Sequence, residues 1–264
     1  KELLARGIAV VDGFFGDAGL AAEQLRVRAL DHYQSGRMRP GVVQAESGPC
    51  QEVESDRRPP TQRGDFVCWL RLDGSWDSSF GDGMEAVGEN ADDPDDQSRK
   101  DHLVTRLAAR ATQLVRLVFD KQLAPSLVMA AVYPPGRDAC FFEHLDNPSG
   151  DGRVLTAVYY VNCGWTPGCG GGLRAWTCGA ESQGDLVEVV PEADRLVLFL
   201  ADQIRHEVLP NLRPPGAGPA AHRCAYTLWF YRDEGLVART SQGRLAKRRR
   251  VSARPADGGP SAVA

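Results

Sequence analysis

Long apolar runs are missing from this sequence of 264 residues. A transmembrane helix needs about 18 or more consecutive apolar residues, and no stretch of that kind occurs. Residues 1–6 also lack the basic-then-apolar layout of a secretory signal peptide. We therefore expect no membrane partner.

A strong charge of either sign is missing as well. The formal net charge is -4 at pH 7, whereas a surface that binds nucleic acid is usually strongly basic. We therefore expect no nucleic-acid partner.

Paired cysteine motifs are also missing. The chain has 7 cysteines, an odd number, and no two of them form a Cys-x-x-Cys pair. This arrangement favours neither a disulfide framework nor a structural zinc site. It is typical of free thiols in a reducing compartment, so we expect a cytoplasmic or nuclear location, or both.

The hydrophobic content of 42% is sufficient for one sizeable core. We expect a single domain over residues 1–235 that acts as a monomer. Residues 236–264 are basic and then rich in small residues, a composition typical of a disordered tail. The Lys/Arg run at residues 247–250 fits a nuclear localisation signal and a solvated basic tail equally well.

The apolar periodicity changes along the chain. Helical spacing predicts helices at about residues 17–36 and 99–121. Short runs rich in β-branched and aromatic residues predict strands at residues 7–12, 65–70, 128–133, 154–161, 173–176, 186–190, 196–200 and 224–231. The expected fold is mainly β, a jelly roll with flanking α-helices.

Two polar segments separate these elements. Residues 44–63 have no apolar periodicity, which indicates a loop, and we expect it to order over a substrate as a lid. Residues 81–100 carry an acidic run and predict a solvated loop without an assigned role.

Histidines are scarce, with 5 in the chain, and two of them lie at predicted strand ends. His144 and Asp146 are two residues apart, so on an extended chain both side chains point the same way. His206 follows another predicted strand. Two imidazoles and one carboxylate can form a facial triad that leaves positions open on Fe(II), although the His-x-Asp pair alone is a weak signal because most such pairs are ordinary polar residues.

An arginine opens the last apolar strand. Arg223 directly precedes the predicted strand 224–231, and its planar guanidinium suits bidentate binding of a carboxylate. A salt bridge at the strand end is the alternative. Arg213, which lies among Pro and Gly residues, is a rival for the same role.

An ordered series of segments resembles the prolyl hydroxylase domain oxygen sensors. The matching segments are 144–153 with Thr156, Tyr159 and Tyr160, then 171–174, 194–196, 206–208, and Arg223 with Trp229. The resemblance covers about residues 8–233 and extends to Arg63, Asp65, Trp69, Met129 and Tyr133.

The resemblance implies a double-stranded β-helix (jelly roll, cupin-like) that binds Fe(II) through His144, Asp146 and His206. Arg223 would hold the far carboxylate of 2-oxoglutarate, which is consumed together with O2, and ascorbate would serve as reductant. The remaining co-substrate pocket would be lined by Tyr133, Thr156, Tyr160, Leu173 and Val208, with Met129 beside them. A peptide substrate would meet Arg63, Asp65, Arg153 and Trp229.

The implied activity is 4-hydroxylation of a prolyl residue in a protein partner, with oxygen sensing as a role known in the family. One departure is that the link between His206 and Arg223 is longer than is usual there. Three alternatives stay open: an oxygenase of a small molecule or lysyl residue, a non-catalytic binding module on the same barrel, and a zinc hydrolase. The last needs a general base, and strand alternation turns Glu143 and Glu207 away from the ligands.

Overall fold

The computed structural model describes residues 2–41, 63–75, 102–119, 123–136, 138–178 and 184–232. The helices in these ranges are α1 (Glu2–Arg6), α2 (Leu20–Gln34) and α3 (His102–Phe119). The strands are β1 (Ile8–Asp12), β2 (Arg39–Pro40), β3 (Phe66–Leu70), β4 (Ala124–Tyr133), β5 (Phe141–His144), β6 (Arg153–Tyr160), β7 (Leu173–Trp176), β8 (Leu186–Val189), β9 (Arg195–Leu200), β10 (His206–Val208) and β11 (Arg223–Tyr231). The predicted lid up to residue 62, the acidic segment 81–100 and the tail 236–264 lie outside the described residues.

The strands form two antiparallel sheets. The larger sheet has the order β1-β9-β6-β11-β4-β3-β2, and the smaller sheet has the order β5-β10-β7-β8. Neighbours in each sheet are mostly distant in sequence, which is the crossover pattern of a jelly roll. The predicted mainly β fold with a double-stranded β-helix core is confirmed.

Strict alternation along the central strands separates two apolar layers. In β4, Val128, Ala130 and Val132 belong to the core that faces the helices. Met129 and Tyr133 on the same strand belong to the core between the two sheets. Because side chains alternate across a strand, one sheet serves both cores.

Helices α2 and α3 cover the outer face of the larger sheet. Leu25 of α2 and Leu107, Ala111 and Val115 of α3 are fully buried in that core, as the helical spacing predicts. Helix α2 begins at Leu20 with Gly19 as its N-cap, so the expected start at residue 17 is wrong by three residues. An Asp17 carboxylate oxygen nevertheless accepts the backbone N–H of Ala21 at 3.2 Å. No helix in the described ranges has both the length and the apolar content that a bilayer crossing requires.

Three short strands, β2, β5 and β10, are absent from the predicted strand runs, and β5 and β10 carry site residues. His144 is the last residue of β5, and His206 is the first residue of β10. His206 lies just past strand 196–200, as expected, but it belongs to a separate strand. The chain turns after β9 and enters the other sheet, and a strand of three residues is too short to show periodicity.

The long link between β10 and β11 folds against α2. One guanidinium nitrogen of Arg26 donates to the carbonyls of Pro219, Ala220 and His222 at 3.0, 3.2 and 2.7 Å. The His222 ring lies 5.3 Å from the Tyr33 ring. Strand alternation alone would place His222 on the surface. Because the link packs against α2, His222 is instead half-buried.

Candidate active site

The smaller sheet places two histidines side by side. His206 and His144 are paired residues of β10 and β5, and their ring centroids are 4.2 Å apart. Asp146 follows in a bend, with one carboxylate oxygen 3.6 Å from His144 Nε2 and 3.9 Å from His206 Nε2. The three candidate donor atoms all lie within 4.8 Å of one another, so the structure brings the predicted triad together.

The backbone orients both imidazoles. His144 Nδ1 lies 2.8 Å from the Phe142 carbonyl oxygen, and His206 Nδ1 lies 3.1 Å from that of Ile204. Because a carbonyl oxygen only accepts, each Nδ1 carries the proton and each Nε2 presents a lone pair to the cluster. This arrangement is common for histidines that bind metals.

The second carboxylate oxygen of Asp146 is held by two donors. Thr156 Oγ1 donates to Asp146 Oδ2 at 2.5 Å, and Trp229 Nε1 donates to it at 2.9 Å. Oδ1 is left facing the imidazoles. The hydroxyl and the indole N–H are thus engaged with the carboxylate. The places that the resemblance implies, Thr156 in the co-substrate pocket and Trp229 at the peptide, stay predictions.

Electrostatics favour the protonation states that a metal needs. Burial lowers the pKa of His206 to about 4, despite the opposing pull of Asp146. Burial alone would raise the pKa of Asp146, but the attraction of both imidazoles and the Thr156 hydrogen bond holds that pKa well below its usual range. A neutral imidazole and an ionised carboxylate are therefore present at neutral pH, and this donor set fits Fe(II).

A stacked column flanks the triad. The Phe141 ring stacks on His144 with centroids 3.8 Å apart, and the Arg63 guanidinium lies 4.4 Å from the Phe141 centroid on β5. Arg63 Nε and Nη2 donate to the two carboxylate oxygens of Asp65 at 2.6 and 2.7 Å. Asp65 is 1% exposed, and Arg63 occupies both of its oxygens. The peptide contact that the resemblance implies for Asp65 stays a prediction.

A buried cationic pocket lies at the start of β11. Arg223 is paired with Tyr133 of β4 and is only 2% exposed. Its Nε donates to the Gly171 carbonyl at 2.9 Å, and its guanidinium lies 4.6 and 5.1 Å from the rings of Tyr133 and Tyr160. The fully buried Tyr160 hydroxyl has no acceptor in the part of the chain that the structure describes.

The missing partner of Arg223 indicates a ligand. Among the described residues no carboxylate forms an ion pair with Arg223, so the strand-end salt bridge is not found there. A buried charge without a counter-ion is costly, and a carboxylate from solution would neutralise the guanidinium and accept the Tyr160 hydroxyl. The rival Arg213 lies against the Trp165 ring instead, at 5.2 Å.

Apolar side chains close the space between the two sheets. Leu173 and Val208 are paired residues of β7 and β10, and both are buried in the same core as Met129 and Tyr133. These are the residues predicted to line the pocket. An apolar lining keeps water away from the charged groups and strengthens their interactions.

Aromatic and charged side chains form the rim. The Trp229 ring lies 5.4 Å from the Trp69 ring, and the Arg153 guanidinium lies 5.6 Å from Trp229. Arg153 also pairs with Asp151 at 2.7 Å, and both side chains are 23% exposed. Asp151 and Phe141 are site neighbours that the sequence pattern does not single out, although both flank the His-x-Asp pair.

The two glutamates beside the histidines face away from the triad. Glu143 pairs with Arg205 at 3.0 Å, and Glu207 pairs with Arg174 at 2.9 Å. Neither carboxylate is therefore available as a general base for a zinc hydrolase, as strand alternation predicts.

Comparison with known proteins agrees with this geometry. The family model described as the 2OG-Fe(II) oxygenase superfamily matches residues 128–231, a range that contains the triad and Arg223. The chain is 30% identical over 249 residues to prolyl hydroxylase EGLN3 of Homo sapiens, and the match covers 94% of this chain and 87% of that protein.

Two further similarities differ in extent. The chain is 34% identical over 153 residues to hypoxia-inducible factor prolyl hydroxylase of Caenorhabditis elegans, which covers 54% of this chain but only 20% of that protein. The structure is similar to that of a prolyl hydroxylase from Trichoplax adhaerens in complex with a hypoxia inducible factor oxygen degradation domain peptide fragment, with a TM-score of 0.62 and 24% identity. That match covers 89% of this chain and 87% of the other, and at this identity it supports the fold alone.

Proposed function

Because the chain belongs to the prolyl hydroxylase family of 2-oxoglutarate–Fe(II) oxygenases, we propose that it 4-hydroxylates a prolyl residue of another protein. The observation that carries the proposal is the buried Arg223, which has no carboxylate partner in the described ranges. It lies against Tyr133 and Tyr160 of the core between the sheets, and Phe199 of the same core contacts His206 of the triad. A triad alone fits many metals, whereas a triad together with a carboxylate pocket fits a 2-oxo acid co-substrate.

Each residue has a defined task in this proposal. His144, Asp146 and His206 would hold Fe(II), with Asp146 Oδ1 and the two Nε2 atoms as donors. Fe(II) together with 2-oxoglutarate supplies the activation of O2 that C–H hydroxylation requires. Ascorbate is the proposed reductant that keeps the iron divalent between turnovers.

The pocket residues bind and orient the co-substrate. Arg223 would bind the far carboxylate of 2-oxoglutarate through its two remaining guanidinium nitrogens. Burial raises the pKa of Tyr133 and of Tyr160, so both phenols keep their protons and act as donors. Leu173 and Val208 exclude water from this end of the site.

A protein partner is proposed for the rim. Arg153, Trp69 and Trp229 form an aromatic and cationic edge next to Asp146, and the relatives from Homo sapiens and Caenorhabditis elegans are prolyl hydroxylases. The Arg63 guanidinium lies over the Phe141 ring and is held by Asp65, so this pair would shape the edge that the peptide meets. We propose a cytoplasmic or nuclear protein as the substrate and oxygen sensing as the role of the modification.

The test is succinate formation from 2-oxoglutarate by anaerobically Fe(II)-loaded protein, with and without proline-containing peptides. We expect peptide-stimulated turnover and one oxygen atom added to proline by mass spectrometry. Asp146→Ala should abolish both. Glu207→Gln is the matched control, because Glu207 adjoins a ligand yet faces the other way, and it should retain activity.

Other outcomes separate the alternatives. Binding of Fe(II) and 2-oxoglutarate without turnover of any prolyl peptide would favour an oxygenase of a small molecule or lysyl residue. A protein that binds the metal but does not bind 2-oxoglutarate would favour a non-catalytic module. A protein that binds no metal at all would refute the proposal.

A further inference from the structure

A single buried amide lies where three segments of the co-substrate pocket meet. Asn211 belongs to the link between β10 and β11 and is 0% exposed. Its side-chain Nδ2 donates to the carbonyls of Tyr133 and Pro134 at 3.1 Å each and to that of Ala221 at 2.9 Å. Its Oδ1 accepts the backbone N–H of Arg213 at 3.1 Å.

These acceptors lie at the end of one strand and just before the start of another, and both strands present pocket residues. Tyr133 ends β4, and Ala221 lies two residues before Arg223, which begins β11. Arg223 and Tyr133 are register partners. The Asn211 amide therefore holds the end of one strand and the approach to the other at the residues that would contact 2-oxoglutarate.

The backbone around Asn211 secures the third segment. Gly171 N donates to the Pro210 carbonyl at 2.8 Å, and Leu212 N donates to the Cys169 carbonyl at 2.9 Å. A Cβ at Gly170 would lie 2.2 Å from the Pro210 oxygen, so this close approach requires glycine. Gly171 in turn accepts the Nε–H of Arg223 through its carbonyl.

We propose that Asn211 is a positioning residue for 2-oxoglutarate, acting through Arg223 and Tyr133. The inference rests on the proposed function and extends it to a residue that touches neither metal nor co-substrate. The link between β10 and β11 is long, and the amide ties it to the end of β4 and to Ala221, two residues before β11. An amide suits this place because its NH2 group donates to several carbonyls and its oxygen accepts one backbone N–H.

The experiment compares two ligands on the metal-loaded protein. 2-Oxoglutarate has a far carboxylate for Arg223, whereas oxalate chelates the metal without one. The dissociation constants of both are measured with Co(II)-loaded protein, by titration of the metal absorption bands. For Asn211→Ala we expect the dissociation constant of 2-oxoglutarate to rise about tenfold or more. This is the effect of losing one hydrogen bond between a displaced Arg223 and the far carboxylate of the co-substrate. Oxalate binding should stay within about twofold, a difference of about 0.4 kcal/mol.

Two further variants keep the test interpretable. Asn211→Ser retains one donor and should give an intermediate loss, and it carries the test should the alanine variant not fold. Tyr226→Phe removes a buried hydrogen bond of 2.7 Å to the Leu25 carbonyl on the opposite face of β11. It should lower the melting temperature while leaving both dissociation constants unchanged.

The outcomes also separate this inference from the proposed function. Wild-type protein that binds oxalate but not 2-oxoglutarate would refute the proposed function itself. Wild-type binding of 2-oxoglutarate that Arg223→Gln weakens but Asn211→Ala leaves intact would overturn only the role of Asn211. An equal loss of oxalate and 2-oxoglutarate binding in Asn211→Ala would also overturn it, because that pattern shows general damage to the metal site.

Discussion

Removal of either donor to Asp146 Oδ2 should weaken metal binding without changing a metal ligand. Thr156→Val keeps the volume of a side chain that is 1% exposed and deletes only its hydroxyl. Trp229→Phe keeps an aromatic wall and deletes the indole N–H. Each variant takes away one of the two hydrogen bonds, of 2.5 and 2.9 Å, that hold the carboxylate.

The size of the effect follows from those contacts. A hydrogen bond to a charged group contributes about 1.5–3 kcal/mol, and loss of a residue that orients a metal ligand typically lowers metal affinity by about 10- to 100-fold. The two ranges agree, because tenfold corresponds to about 1.4 kcal/mol. We expect a drop of that order in each single variant, and a larger one in the double variant, where no described side chain donates to Oδ2.

The assay is competition of the apo protein with a chromophoric chelator for Co(II) or anaerobic Fe(II). Tyr159→Phe is the matched control. Tyr159 lies on the same strand as Thr156 but faces the helices, and its buried hydroxyl donates to Asp194 at 3.0 Å. The control should lower stability and leave metal affinity unchanged. Metal affinity within about twofold of wild type in both Thr156→Val and Trp229→Phe, less than about 0.4 kcal/mol, would refute the argument that these donors orient the ligand.

Two further predictions concern stability. Asp65→Asn leaves the buried Arg63 guanidinium without its paired carboxylate, so the free energy of unfolding measured in urea should fall by about 3–5 kcal/mol. Glu2→Gln, in the exposed pair with Arg6, should change it by less than about 1 kcal/mol. Equal effects in the two variants would contradict the burial of the Arg63–Asp65 pair. Burial raises the pKa of Cys68 from 9.0 to about 12, so between these values the folded state keeps a proton that the unfolded state loses. The contribution of Cys68 to the stability of the folded state is therefore complete below pH 9.0 and is lost as the pH rises towards 12. Cys68→Ala should therefore flatten the alkaline fall in melting temperature, while the same change at the exposed Cys163 should not.

The strand pattern and the triad were predictable because they depend on local information. Alternation along β4, β6, β9 and β11 is visible in the sequence, and so is the two-residue spacing of His144 and Asp146. Strands β5 and β10 were not predictable, since three or four residues show no period. Their pairing nevertheless sets the 4.2 Å separation of the two imidazole rings.

The directions of polar side chains were harder to predict from the sequence. Resemblance placed Thr156 and Trp229 near the site, but their hydrogen bonds to Asp146 depend on how β6 and β11 lie side by side. Asn211 carries no sequence signal at all, because it lies in a link rich in Pro and Gly and gains its partners only from residues far along the chain.

By itself the sequence determined the family, the class of fold and the identity of the candidate ligands, because residue types, spacing and strand alternation are properties of the chain. Only the tertiary structure decided that Asp65 is closed off by Arg63, that Arg223 is buried without a carboxylate among the described residues, and that one amide joins three segments of the pocket. The physical reason is that burial and hydrogen bonding depend on which distant segments meet, and that choice is made by the packing of the two sheets.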